Sequence, residues 1–207
     1  MVDALYITFM RHGRSRADDE MVHEGRYDSP LTDVGRAQVN SRAEEWKCAG
    51  IKFDVIVASP LVRASKSAEI VGEILGVPVE YDPDWMERDT GPLAQLPFEV
   101  AEERFPRPEF INPFEPYVAA TGEGESGWDL VARAAIALQR VIRKRKRSTL
   151  VVAHGGTLNA AMYCILGIAT PSSNSGVRFA FGDAGFVRTS YDTGRHLWTI
   201  REMSANP

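Results

Sequence analysis

Leu5-Tyr6-Ile7-Thr8-Phe9-Met10 runs straight into Arg11-His12-Gly13 near the start of the chain. Six apolar, aromatic or β-branched residues ending at charge read as a strand buried on both faces. The turn that closes it supplies a planar guanidinium, which can hold two phosphate oxygens at once. It also supplies an imidazole, a nucleophile near pH 7. The Arg-His-Gly turn therefore reads as a phosphate-binding site whose histidine attacks phosphorus.

Two more buried strands end in the same kind of chemistry. Phe53–Ala58 is followed by Ser59-Pro60, read as a helix start with Ser59 as cap, and Arg63 lies one turn on. Thr149–Ala153 ends in His154-Gly155-Gly156. Ligands of open α/β sheets bind beyond the carboxyl ends of the strands. If these three strands are parallel neighbours, Arg11, His12, Arg63 and His154 meet in one crevice. There a cationic His154 would stabilise charge in the transition state. Gly13 and Gly155, lacking a Cβ, would let the backbone approach a ligand closely. Glu87 is the candidate acid for the leaving oxygen, with Asp89 its rival. A glutamate facing an anion in a partly closed pocket is expected to stay protonated.

Between these points, residues 14–31 read as a long polar loop. Thr32-Asp33 opens a helix with Val34, Ala37, Val39, Ala43 and Trp46 near one face and Gly50 beyond its end. The helix after Ser59 runs to about Leu75, and Pro78 places the short strand Val77–Asp82 at a sheet edge. Residues 83–125 read as short helices and loops forming a lid, whose aromatic residues either line the pocket or pack the lid itself. Helices follow over Gly127 to about Arg147 and Thr157–Leu166, then strands Gly185–Tyr191 and His196–Glu202. Alternating strands and helices predict an α/β fold with a mostly parallel sheet, as one domain over residues 1–207.

The 207 residues, 44% hydrophobic and 25% charged with a net charge of −4, match an ordinary globular protein. No nucleic-acid or membrane partner is expected from that balance. The basic run Arg143–Arg147 reads as a solvated helix end. Cys48 and Cys164 have no metal or C-x-x-C spacing and read as buried or half-buried thiols. The N-terminus lacks the pattern of a secretory leader, so the expected location is cytoplasmic. The expected partner is a small phosphate ester; a homodimer stays open.

These motifs, in their order, resemble those of the histidine phosphatase superfamily. Arg11-His12-Gly13 with Ser15 is similar to its R-H-G-x-[S/T] signature, and residues 25–32 to its next loop. Ser59-Pro60-Leu61-Val62-Arg63-Ala64 resembles its S-P-x-x-R-[A/T] segment, Met86-Glu87-Arg88 with Gly91 its acid loop, and Gly124-Glu125-Ser126 its G-E-S segment. Residues 151–156 resemble its second-histidine motif. The resemblance implies a three-layer α/β/α sandwich and phosphorylation of His12. It implies phosphoryl binding by Arg11, Arg63 and His154, and proton donation by Glu87. Ser15, Gly25 and Gly155 would be substrate-binding positions, and no metal or cofactor is implied. Asp18 stands where the family often has Asn, and a pairing with Arg14, Arg16 or Arg26 is expected of it. Thr90, Phe98 and Gly156 stand where mutases of the family carry Tyr, Lys and Asn. These departures favour hydrolysis over mutase-type transfer; a catalytically weak phospho-ligand binder is the third reading.

Overall fold

A computed structural model describes residues 4–112, 114–120, 122–169 and 177–206. In chain order the elements are β1 (Ala4–Arg11), α1 (Arg16–Glu20), α2 (Asp33–Cys48), β2 (Val55–Ala58), α3 (Val62–Leu75) and β3 (Val79–Tyr81). Then come α4 (Phe98–Arg104), α5 (Gly127–Arg143), β4 (Ser148–Ala153), α6 (Gly155–Leu166), β5 (Phe186–Asp192) and β6 (Leu197–Ser204). The six strands form one sheet in the order β3-β2-β4-β1-β5-β6. The first four are mutually parallel; β5 runs antiparallel to β1, and β6 antiparallel to β5. This is the expected α/β architecture with a mostly parallel sheet, and β3 does occupy an edge.

The alternation of side chains along the central strands makes the layers. Ile7, Phe9, Val55, Val57, Val151 and Ala153 face one side, where Leu130, Ala134, Ala137 and Leu138 of α5 and Leu158 and Met162 of α6 cover them. Met10, Ile56, Ala58, Leu150 and Val152 face the other, under Val39, Ala43 and Trp46 of α2 and Ala64, Ala68 and Val71 of α3. Helix α5 buries residues 130, 134, 137, 138 and 141, one continuous stripe at helical spacing. Its start is a capping box between Ser126 and Asp129.

Several elements depart from the sequence reading. The polar stretch 14–31 contains α1, begun by a capping box of Ser15 and Asp18. In α2, Val34 and Ala37 are exposed; Gly35 and Arg42 are buried in their place. Arg42 lies over the Phe186 ring at 4.7 Å and donates to the Ala184 carbonyl, so its stem packs while its head is bonded. Helix α3 starts at Val62 with Leu61 as its cap, because the Ser59 hydroxyl is used elsewhere. Helix α5 ends at Arg143, four residues early, where Arg145 takes a positive φ of 51° and turns the chain into β4. Cys48 is exposed rather than buried. Pro113 and Thr121, in the segment read as a lid, lie outside the described residues.

The turn after β1 is packed tightly on α2. A Cβ on Gly13 would lie 2.3 Å from the Gly35 carbonyl oxygen, and one on Gly35 would lie 2.1 Å from that of Arg14. Gly13 thus serves a close approach of two backbones rather than room for a ligand. Replacing Gly35 by Ala gains about 1 kcal/mol of helix propensity. Overpacking against backbone that cannot yield costs about 1–3 kcal/mol. Gly35→Ala is therefore expected to lower the urea midpoint of unfolding, where propensity alone would raise it.

Candidate active site

Because β2, β4 and β1 are parallel neighbours, their carboxyl ends deliver their side chains to one place. His12 and His154 are both buried, with ring centroids 5.1 Å apart. Arg63 on α3 is also fully buried; its Nε lies 3.3 Å from His12 Nε2. Its Nη1 and Nη2 donate to the carbonyls of Tyr27 and Gly25 at 2.8 and 2.9 Å.

The neighbours of each imidazole define its tautomer. His12 Nδ1 lies 2.7 Å from the Gly13 carbonyl, which can only accept, so Nδ1 carries the hydrogen. The lone pair is then on Nε2, facing Arg63. His154 Nε2 lies 2.8 Å from Ser59 Oγ. That oxygen already accepts from Leu61 N–H and has its own hydrogen to give. When Ser59 gives that hydrogen to His154 Nε2, His154 carries its own on Nδ1, which is buried with no partner among the described residues. Burial, then Arg11 and Arg63, hold the His12 pKa well below the ordinary imidazole value. Burial, then Arg63 and His12, do the same to His154. In the protein without ligand these influences favour the neutral form of His154, whereas the expected cationic form is one beside bound phosphate.

Arg11 Nη1 is 3.0 Å from Asp183 and Nη2 is 3.3 Å from Asp18. The expected partners of Asp18 are taken by others: Arg14 pairs with Asp19, Arg16 with Glu20, and Arg26 with Asp89 and Glu125. Asp18 instead braces Arg11 and caps α1 through Ser15. Asp183 belongs to the loop before β5 and was not a sequence candidate.

Glu87 reaches the cleft and sits on the N-terminus of α6. Its Oε1 accepts from the N–H groups of Arg88 and Thr157 at 2.8 and 3.1 Å, and Oε2 from Gly156 N–H at 2.9 Å. A helix N-terminus is suited to a carboxylate. A Cβ on Gly156 would lie 2.4 Å from Glu87 Oε1, whereas one on Gly155 would face the open space of the cleft. Arg133 holds the acid loop by donating to the carbonyls of Asp84, Met86 and Glu87, and both its Nε and Nη2 are 2.7 Å from the Glu125 carboxylate. The rival acid, Asp89, is turned to Arg26 and to Gly91 N–H.

The cleft has a volume of about 970 Å³ and is lined by Arg11, His12, Glu24, Glu87, Arg88 and Gly155, with Leu130, Tyr163, Phe179 and Phe181 on its apolar side. Leu93, Leu96 and Phe105 instead pack a small separate core with Ala101 and Ala120, while Phe110 and Phe114 are exposed. Ser15 is buried beside Asp18 and Glu24, and Gly25 offers its carbonyl to Arg63. Glu24 was missed by sequence reasoning; only its place before Gly25 could have drawn notice.

The chain matches the model of the histidine phosphatase superfamily (branch 1) over residues 7–205 and belongs to that family. It is 32% identical over 170 residues to a 2,3-bisphosphoglycerate-dependent phosphoglycerate mutase of Methylobacterium sp. (strain 4-46), covering 79% of this chain and 82% of that one. It is 30% identical over 162 residues to the uncharacterized phosphatase PhoE of Bacillus subtilis (strain 168), covering 78% and 77%. Its fold is shared with a mycobacterial glucosyl-3-phosphoglycerate phosphatase in complex with VO3, at a TM-score of 0.80, 24% identity, and coverage of 98% and 100%. A phosphoserine phosphatase mutant from Entamoeba histolytica aligns at a TM-score of 0.75 and 20% identity over 96% of both chains.

The two buried histidines make stability depend on pH. Their folded pKa values lie below the unfolded value of about 6.5, so near pH 5 the unfolded chain binds more protons. The pair costs nothing above about pH 7, and the fold loses stability as pH falls through 6.5. Urea midpoints are expected to drop from pH 7 to pH 5, and His12→Gln with His154→Gln should flatten that part of the drop.

Proposed function

We propose that this protein is a metal-independent phosphomonoesterase working through a phosphohistidine on His12. The observation that carries the reading is the lone pair of His12 Nε2, exposed by the Gly13 contact and placed among Arg63, His154 and Glu87. Nε2 attacks phosphorus, and a P–N bond forms as the ester P–O bond breaks. Arg11, Arg63 and the His154 N–H take the equatorial oxygens, where charge builds. Glu87, having taken a proton from solvent as the anionic substrate binds, gives it to the leaving oxygen from Oε2, the less engaged of its two oxygens. Water then attacks phosphorus, Glu87 takes its proton, and the P–N bond breaks to release phosphate.

Mutase-type transfer is the second reading, favoured by the names of several relatives. Against it, Thr90 packs on Gly25 and Phe98 stacks edge-on with His23; neither lines the cleft. An aryl phosphate should be hydrolysed equally with and without EDTA, whereas dominant transfer between phosphoglycerates would favour the mutase. His12→Ala is expected to abolish a phosphoenzyme trapped under alkaline quench; a persisting signal would move the nucleophile elsewhere. Glu87→Gln should slow esters with poor leaving groups by about 10²–10⁴-fold and activated aryl esters far less. Equal losses on both would refute its role as the acid.

A further inference from the structure

The side chain directly before His12 Nε2 is a carboxyl group. Glu24 Oε2 is 3.7 Å from that nitrogen, and Oε1 is 3.2 Å from Arg63 Nε and accepts a short bond from Ser15 Oγ. The side chain is 17% exposed and lines the same cleft as Glu87. A phosphorus attacked by Nε2 must come within about 3–3.5 Å of it. It must also bring its oxygens to the Arg63 Nε–H that Glu24 now faces. The phosphoryl group and the Glu24 carboxyl therefore meet in any productive complex.

Two anions in that contact repel, whereas a neutral carboxylic acid has one O–H to donate to a phosphoryl oxygen. We propose that Glu24 is a substrate-binding residue of the phosphoryl pocket that acts as the neutral acid, donating its hydrogen to a phosphoryl oxygen. The inference rests on the phosphatase reading and adds a specificity to it: the pocket takes the phosphoryl group together with one proton, drawn from solvent.

The groups around Glu24 come from four elements. Arg63 of α3 and Arg11 at the end of β1 favour its ionised form, as does the Ser15 hydroxyl before α1. Asp18 of α1 opposes ionisation, and the neutral His12 contributes no charge. Burial is the largest influence and raises the Glu24 pKa above the ordinary carboxylate value despite both arginines. Arg11 is further offset by Asp18 and Asp183. The proton that Glu24 needs is thus easier to keep here than on an exposed glutamate.

The test is the binding of inorganic phosphate, followed by calorimetry from about pH 5 to 8.5, in the wild type, Glu24→Gln and Glu24→Ala. Phosphate ionises identically in all three series, so the ratio of affinities reports on residue 24 alone. The Glu24→Gln to wild-type ratio is expected to climb from near one at low pH to about tenfold or more at high pH. Glu24→Ala, which has no donor, should bind several-fold more weakly than Glu24→Gln throughout. A ratio that stays flat with pH, or equal binding by the Gln and Ala proteins, overturns the proposal. A wild type that binds phosphate with the expected ratio but hydrolyses no ester would sink the phosphatase reading and leave the Glu24 assignment standing. Turnover with a flat ratio would do the reverse.

Discussion

The buried guanidinium of Arg63 is the interaction on which the rest of the pocket depends. A cation taken fully out of water is costly unless its donors are used. Here two go to the carbonyls of Tyr27 and Gly25, and Nε is shared between His12 and Glu24. One side chain thereby ties α3 to the end of β1 and to the loop after α1. Without it, two carbonyls would lose their donor and Glu24 its nearest cation. The loop that brings Glu24 to His12 is held at two of its carbonyls by that same clamp.

Around this point the charges are arranged in shells of alternating sign. Arg63 faces Glu24, and Arg11 is braced by Asp18 and Asp183. Both imidazoles are left neutral by burial and by those arginines. Further out, Glu125 and Arg133 form a half-buried pair whose remaining donors hold three successive parts of the acid loop. Burying each pair is unfavourable alone and favourable only with its full set of hydrogen bonds. The result is a frame in which the His12 imidazole and the carboxyl groups of Glu24 and Glu87 line one cleft.

Much of the fold was legible because parallel strands covered on both faces read as unbroken apolar runs. Leu5–Met10, Phe53–Ala58 and Thr149–Ala153 all became central strands. Helix starts were legible where the cap acts locally, as at Thr32. Ser59 misled because its hydroxyl bonds to His154, 95 residues away, and no local rule reports that. Likewise no local pattern marks Arg42 for burial; the Phe186 ring and the Ala184 carbonyl, distant along the chain, give its head a buried place.

The sequence by itself determined the central strands and their polar endings, since side-chain period suffices for that; Arg11, His12, Arg63 and His154 meet because the packed sheet sets β2, β4 and β1 side by side and parallel. It could not supply Asp183 or Glu24. Strand β5 runs antiparallel, so the start of that strand, not its end, lies beside the end of β1; Met10 is opposite Phe186. Asp183 reaches Arg11 through that reversal. Glu24 reaches His12 from a loop held by Arg63 through the Gly25 and Tyr27 carbonyls and by Leu96 and Gln95 through His23. Tautomers and charge states too came from contacts between distant segments, for a hydrogen-bond partner and the loss of solvent are properties of the packed chain alone.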